Sequence, residues 1–226
     1  HIPLSIVKQQ VLRNRLKRKQ CMPPKVRFEK EAIVEAAFNV VRKSGWKGLS
    51  ARSIAQELNS STRPIYTHLK SMEDLEGEVF KKAMALLEDY IRTPKTGDKW
   101  VDQGYGFVLF ARKERVLFNA LMDQKYGHLY FKNAMKSYQK SGKDLKNYPP
   151  FKGLPEARTE NLRRIRSTFT HGMALMQASH SEYYPVEKEE DLATLIHLTN
   201  EVLLLGLKAK IEREKSEKDQ KDATKK

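Results

Sequence analysis

Apolar residues recur three and four positions apart, segment after segment, with no stretch of alternation, and that leaves this chain a helical fold. Ile33, Ala36, Ala37, Val40 and Val41 mark one face of a first helix. Gly45 stands where a helix stop wants a left-handed residue, with Trp46 behind it as the apolar partner of the cap. Ser50 is placed to cap a second helix that turns Ile54, Ala55 and Leu58 inward. Asn59 tolerates the left-handed backbone of a tight turn. A short third helix opens at Ser61 or Thr62, where Pro64 is harmless because first-turn N–H groups have no intrahelical partner. Ser71 begins a fourth, with Asp74 making an imperfect capping box and a buried stripe of Leu75, Val79, Ala83, Leu86 and Tyr90, and Pro94 ends it.

A second helical region begins near Lys99, and its first half is rich in aromatic and other large apolar side chains. The prolines and glycines from Gly142 to Pro155 read as a loop. Pro155 starts a long helix with Leu162, Ile165, Phe169, Gly172, Met173 and Met176 on one side. The last helix is acidic at its start and basic near its end, as the helix dipole favours, with Leu192, Leu195, Ile196, Thr199, Val202, Leu203 and Gly206 between. From Glu212 onward the composition is almost wholly charged, so a frayed tail is expected.

The net charge of +15 is unevenly spread. Residues 1–72 hold fifteen Lys and Arg against four Glu, while the rest hold 28 basic and 24 acidic groups. A basic excess in the first third is the footprint of a protein that meets a polyanion. Residues 1–24 read as a basic N-terminal extension or as an artificial appendage. The single Cys21 fits a reducing compartment, no run of apolar residues approaches the length of a membrane span, and no secretory signal is visible. The histidines lack metal-ligand spacing, so no metal site is expected, and no cofactor loop or nucleophile elbow is present.

Three short helices with a tight turn between the second and third have the geometry of a helix-turn-helix. The third helix mixes hydroxyls, an arginine, a phenol and an imidazole, all able to reach base edges or phosphates, and only Ile65 and Leu69 look core-directed. The expected DNA-binding set is Arg27, Lys47, Ser50, Arg52, Ser61, Thr62, Arg63, Tyr66, Thr67, His68 and Lys70.

The run IAQELNSSTRPIYTHLKSMEDL, from Ile54 to Leu75, resembles the signature of the TetR family of transcriptional regulators, and the resemblance takes in the first helix, AIVEAAFNVVRKSGW. STFTHGMALM, from Ser167 to Met176, looks like the His-Gly segment in the dimerising helix of some members. There are departures: Asn59 stands where a turn glycine is common, Arg63 and Pro64 replace small residues, and Met72 stands where many relatives place a lysine. The resemblance implies an all-α protein with an N-terminal three-helix helix-turn-helix domain (25–72), a connecting helix and loop (73–97) and a C-terminal helical ligand-binding and dimerisation domain (98–211), followed by the charged tail (212–226). It also implies a homodimer that places recognition helices in successive major grooves of double-stranded operator DNA, under control of a ligand pocket.

For that pocket the candidates are Phe107, Phe110, Phe118, Met122, Tyr126, Met173 and Met176, which point to a small hydrophobic or aromatic effector, an anion being left open by Arg112 and Arg166. The dimer candidates are Phe169, Leu195, Thr199, Val202 and Leu203. The expected function is that of a cytoplasmic ligand-responsive repressor, with no enzymatic activity and no membrane partner. An architectural DNA-binding protein without an effector is the alternative, and a helical enzyme lacks any visible catalytic pair.

Overall fold

In the computed structural model, which describes residues 28–68, 71–179 and 188–223, every regular element is helical. The first period becomes α1 (Lys30–Ser44), which buries Ile33, Ala36, Ala37, Phe38, Val40 and Val41. Gly45 ends it at φ 67°, but with ψ −175°, so the backbone leaves extended and not as a left-handed turn. A 3₁₀ turn, Trp46–Gly48, follows. The short α2 (Ala51–Glu57) is held by a full capping box between Ser50 and Ser53. Behind α3 (Arg63–His68) comes α4 (Met72–Arg92), capped by the Ser71 hydroxyl, which accepts from Asp74 N–H at 3.0 Å. Thr93, the residue before Pro94, is extended, as a proline requires of its predecessor.

The large apolar region divides into α5 (Lys99–Lys113), α6 (Arg115–Leu121) and α7 (Gly127–Asp144). Asp98 caps α5 through Trp100 N–H and Val101 N–H, and α5 is buried almost all round, from Trp100 to Ala111. It crosses α4 at Gly106, where an added Cβ would lie 2.0 Å from the Tyr90 carbonyl oxygen, so no larger residue fits that crossing. Two long helices, α8 (Glu156–Ser179) and α9 (Glu189–Ala223), complete the molecule. One hydrophobic core runs without a break from Ile33 in α1 to Ile196 in α9, and a smaller cluster gathers Trp100, Leu145, Phe151 and Leu162.

Three expectations are corrected. The segment from Gly142 to Pro155 is not a loop throughout, because α7 continues to Asp144 and Pro149–Phe151 form a 3₁₀ turn. The charged tail is helical to Ala223, tied by Lys215–Glu212 and Arg213–Glu217 one turn apart and by Arg158 of α8, which reaches Glu214 at 2.7 Å. The α9 helix also holds an 18-residue window of mean hydropathy 1.3, long and apolar enough by composition to cross a membrane, with 17% of it buried. Counting consecutive apolar residues missed it because His197, Asn200 and Glu201 interrupt the run.

Candidate nucleic-acid interface and ligand cavity

The turn from α2 to α3 is built by backbone chemistry. Asn59 adopts φ 48°, Ser60 N–H reaches back to Ala55 O at 2.8 Å, and Asn59 N–H donates to Gln56 O at 3.1 Å. That pair of bonds is a complete Schellman cap, so asparagine closes the turn as a glycine would. Ile65 is 1% exposed and anchors α3 to the core. Around that anchor Ser61, Thr62, Arg63, Tyr66 and Thr67 face solvent, with Tyr66 68% exposed. The Thr67 hydroxyl donates to Arg63 O, one turn back.

Lys47, Ser50 and Arg52 are exposed on the same end of the molecule as the start of α2, and the Ser50 hydroxyl is occupied by its capping bonds to Ser53. Arg27, Leu69, Lys70 and the side chain of His68 lie outside the described residues.

This first group of helices is tied to the larger half by aromatic and polar contacts. Trp46 Nε1–H donates to Ala120 O at 2.8 Å and its ring lies 4.3 Å from that of Tyr126. Arg42 grips Glu114 with two nitrogens, and the buried carboxylate holds that guanidinium above its usual pKa. Glu76 of α4 accepts from both Lys125 and the Tyr126 hydroxyl. The Tyr126 phenol is pushed up to about 12 by burial and by that carboxylate.

Between α4, α5, α7 and α8 opens a cavity of about 690 Å³. Its apolar wall includes Met84, Leu87, Phe107, Tyr130 and Ala134, and its polar groups include Gln103, Ser141, Arg166, Thr170 and His171. The His171 ring lies 4.5 Å from Phe107. His171 Nδ1 sits 2.8 Å from Ser167 O and therefore carries the proton, leaving Nε2 to accept from the Tyr130 hydroxyl at 3.3 Å. Burial lowers the imidazole pKa, the Ser167 bond opposes that shift, and the charge of Arg166 adds to it. Burial pushes the Tyr130 phenol up, so it stays a neutral donor.

Of the residues the sequence pointed to as a pocket, Phe107 alone lines this cavity. Phe110, Phe118 and Met173 are core, Met122 packs against the core, Tyr126 is engaged by Glu76, and Met176 is 47% exposed. For Met173 and Met176, the two candidates on α8, the rotation of that helix decides the outcome. Its buried stripe runs through Leu162, Arg166, Thr170, Met173 and Gln177, so polar residues occupy positions where the period calls for apolar ones. That substitution of polar for apolar was the available signal for the cavity.

The other face of α8 presents Ile165, Phe169, Leu175 and Met176, and α9 presents Leu198, Val202 and Leu205, all more than a third exposed. Of the dimer candidates, Phe169 and Val202 are on this open surface. Leu195 packs against the main core, Leu203 against the smaller cluster, and the hydroxyl of half-buried Thr199 donates to Leu195 O.

No family model matches the chain. Among curated proteins it is similar to the tetracycline repressor protein class D of Escherichia coli and to that of class H of Photobacterium damsela subsp. piscicida. Each is 24% identical over 182 residues, which span 75% of this chain and 77% of the relative. Among solved structures, a TetR-family transcriptional regulator from Mesorhizobium loti superposes with a TM-score of 0.54 at 17% identity, covering 77% of this chain and 94% of its own.

Proposed function

We propose that this chain is a TetR-family transcriptional regulator, a cytoplasmic, dimeric repressor released from operator DNA by a small organic effector. The observation that carries the DNA half of this reading is α3, a helix pinned by Ile65 that leaves Arg63 and Tyr66 exposed to solvent. A helix with those donors exposed suits base edges in the major groove, while Lys47 and Arg52 suit the phosphates beside it. The division of labour we assign is reading by residues 25–72, connection through 73–97 and effector binding and dimerisation by 98–211.

The cavity supports the effector half. An effector can release DNA only by binding the DNA-incompetent arrangement more tightly than the competent one. The contacts of Trp46 with Ala120, Arg42 with Glu114 and Glu76 with Tyr126 are the route by which a shift of α4, α6 or α7 reaches the reading helices. The exposed stripe on α8 and α9 supports a two-fold dimer, because contiguous apolar surface of that kind calls for a partner.

Selection from a random duplex library, followed by competition against unselected DNA, tests the reading. A selected palindromic site should compete far better than random sequence. Tyr66→Ala should cost specific affinity by ~1–3 kcal/mol and leave random-sequence binding nearly unchanged, whereas Arg52→Ala should weaken both and lower the salt slope by about one phosphate. Equal affinity for selected and random DNA would instead identify an architectural DNA-binding protein.

A further inference from the structure

Arg166 is a buried charge with no ion-pair partner among the described residues. It is 8% exposed, its Nε has no hydrogen-bond partner, and among the described residues no carboxylate pairs with its guanidinium. Burial pushes its pKa down to about 10, with the charge of Arg163 as a further cause, so it remains a cation at neutral pH. An isolated buried cation is costly to keep. Two neighbours accommodate it: the Trp100 ring, 5.7 Å from the guanidinium carbon, and Gly104, where an added Cβ would meet Nη1 at 2.8 Å.

The acidic groups of the same cavity are already engaged. Glu88 accepts from Arg92 and from the Ser137 hydroxyl, and Glu160 accepts from Arg163, Arg164 and the Tyr138 hydroxyl. The imidazole of His171 is held toward its neutral form and donates elsewhere. Arg166 is therefore the one cavity cation among the described residues left to recognise a ligand, Arg164 being paired with Glu160.

Resting on the effector reading above, we propose that the cavity takes an amphipathic organic monocarboxylate, its carboxylate paired with Arg166 and its apolar body lying along Met84, Leu87, Phe107 and Ala134. A volume of about 690 Å³ suits a ligand of ordinary drug size. Glu88 and Glu160 line the same space, and their charge disfavours a phosphate dianion relative to a singly charged carboxylate.

Calorimetric titration of the intact protein with two matched pairs, decanoate against decanamide and naphthoate against naphthamide, tests the proposal. At least one acid should bind about tenfold to a hundredfold more tightly than its amide, the range expected of a charge-assisted hydrogen-bonded pair. Arg166→Met should erase that preference while keeping amide binding, and the unliganded variant should melt no lower than the parent because a lone buried charge is gone. Ala134→Trp, which fills the cavity, should abolish both acid and amide binding.

Equal affinity for acid and amide in the parent, or a preference that survives Arg166→Met, would overturn the carboxylate assignment and leave the effector site standing. If no probe binds and Ala134→Trp merely raises the melting temperature, the cavity is a packing defect and both the effector reading and the carboxylate assignment fall.

Discussion

At His171 a single hydrogen bond decides the chemistry of a side chain. The Ser167 carbonyl takes the Nδ1 proton, so the ring meets the Tyr130 hydroxyl as an acceptor and has no need of a charge. Burial and the nearby Arg166 charge then hold its pKa below the usual histidine value. The sign of the stability effect follows. Above the unfolded value of about 6.5 neither state binds the proton and nothing is lost. As pH falls through that value, the unfolded chain protonates while the native ring resists, and stability drops until the folded pKa is passed. Denaturant unfolding of His171→Gln between pH 7 and 5 should show a shallower loss than the parent, and identical slopes would mean that His171 titrates alike in both states. The histidine was visible in the sequence within the His-Gly segment of a dimerising helix, but its place on a cavity wall was not, since that depends on which way α8 is rotated.

Among elements, the α2–α3 turn shows how a departure from a family pattern can be physically neutral. Asn59 at φ 48° with both Schellman bonds in place does what glycine would do, because asparagine is among the few side chains at ease in that region. Asn59→Gly should therefore change thermal stability by less than ~0.5 kcal/mol, whereas Asn59→Val should cost ~1–2 kcal/mol through its branched Cβ. If valine proves harmless in the melt, the turn adopts another backbone. The helix starts were legible here for the same local reason: Ser50 and Ser71 cap where serine before an apolar period should cap. Helix ends in charged sequence were not, and α9 runs on because Arg158 and pairs one turn apart support it.

For the whole molecule, the open stripe of Ile165, Phe169, Leu198, Val202 and Leu205 sets the test of assembly. In a two-fold dimer the two α3 helices should stand about 34 Å apart, one turn of DNA. Val202→Asp places a charge on that surface without entering the subunit's own core, since Val202 is 59% exposed. It should sediment as a folded monomer and lose operator affinity by ~100-fold or more, because one half-site contributes only part of the contact energy. A Val202→Asp protein that remains dimeric would place the interface elsewhere.

The sequence alone determined the helical class, the order of the first four helices, the turn at Asn59 and the basic, polar character of the reading helix, all of which rest on neighbours within a few residues. Only the tertiary structure decided which apolar residues are core and which are surface on α8 and α9, because both faces of those helices carry large apolar groups and periodicity fits either. The cavity, too, was decided there: it is bounded by four helices from distant parts of the chain, and folding buries Arg166 on its wall with no carboxylate paired to it among the described residues.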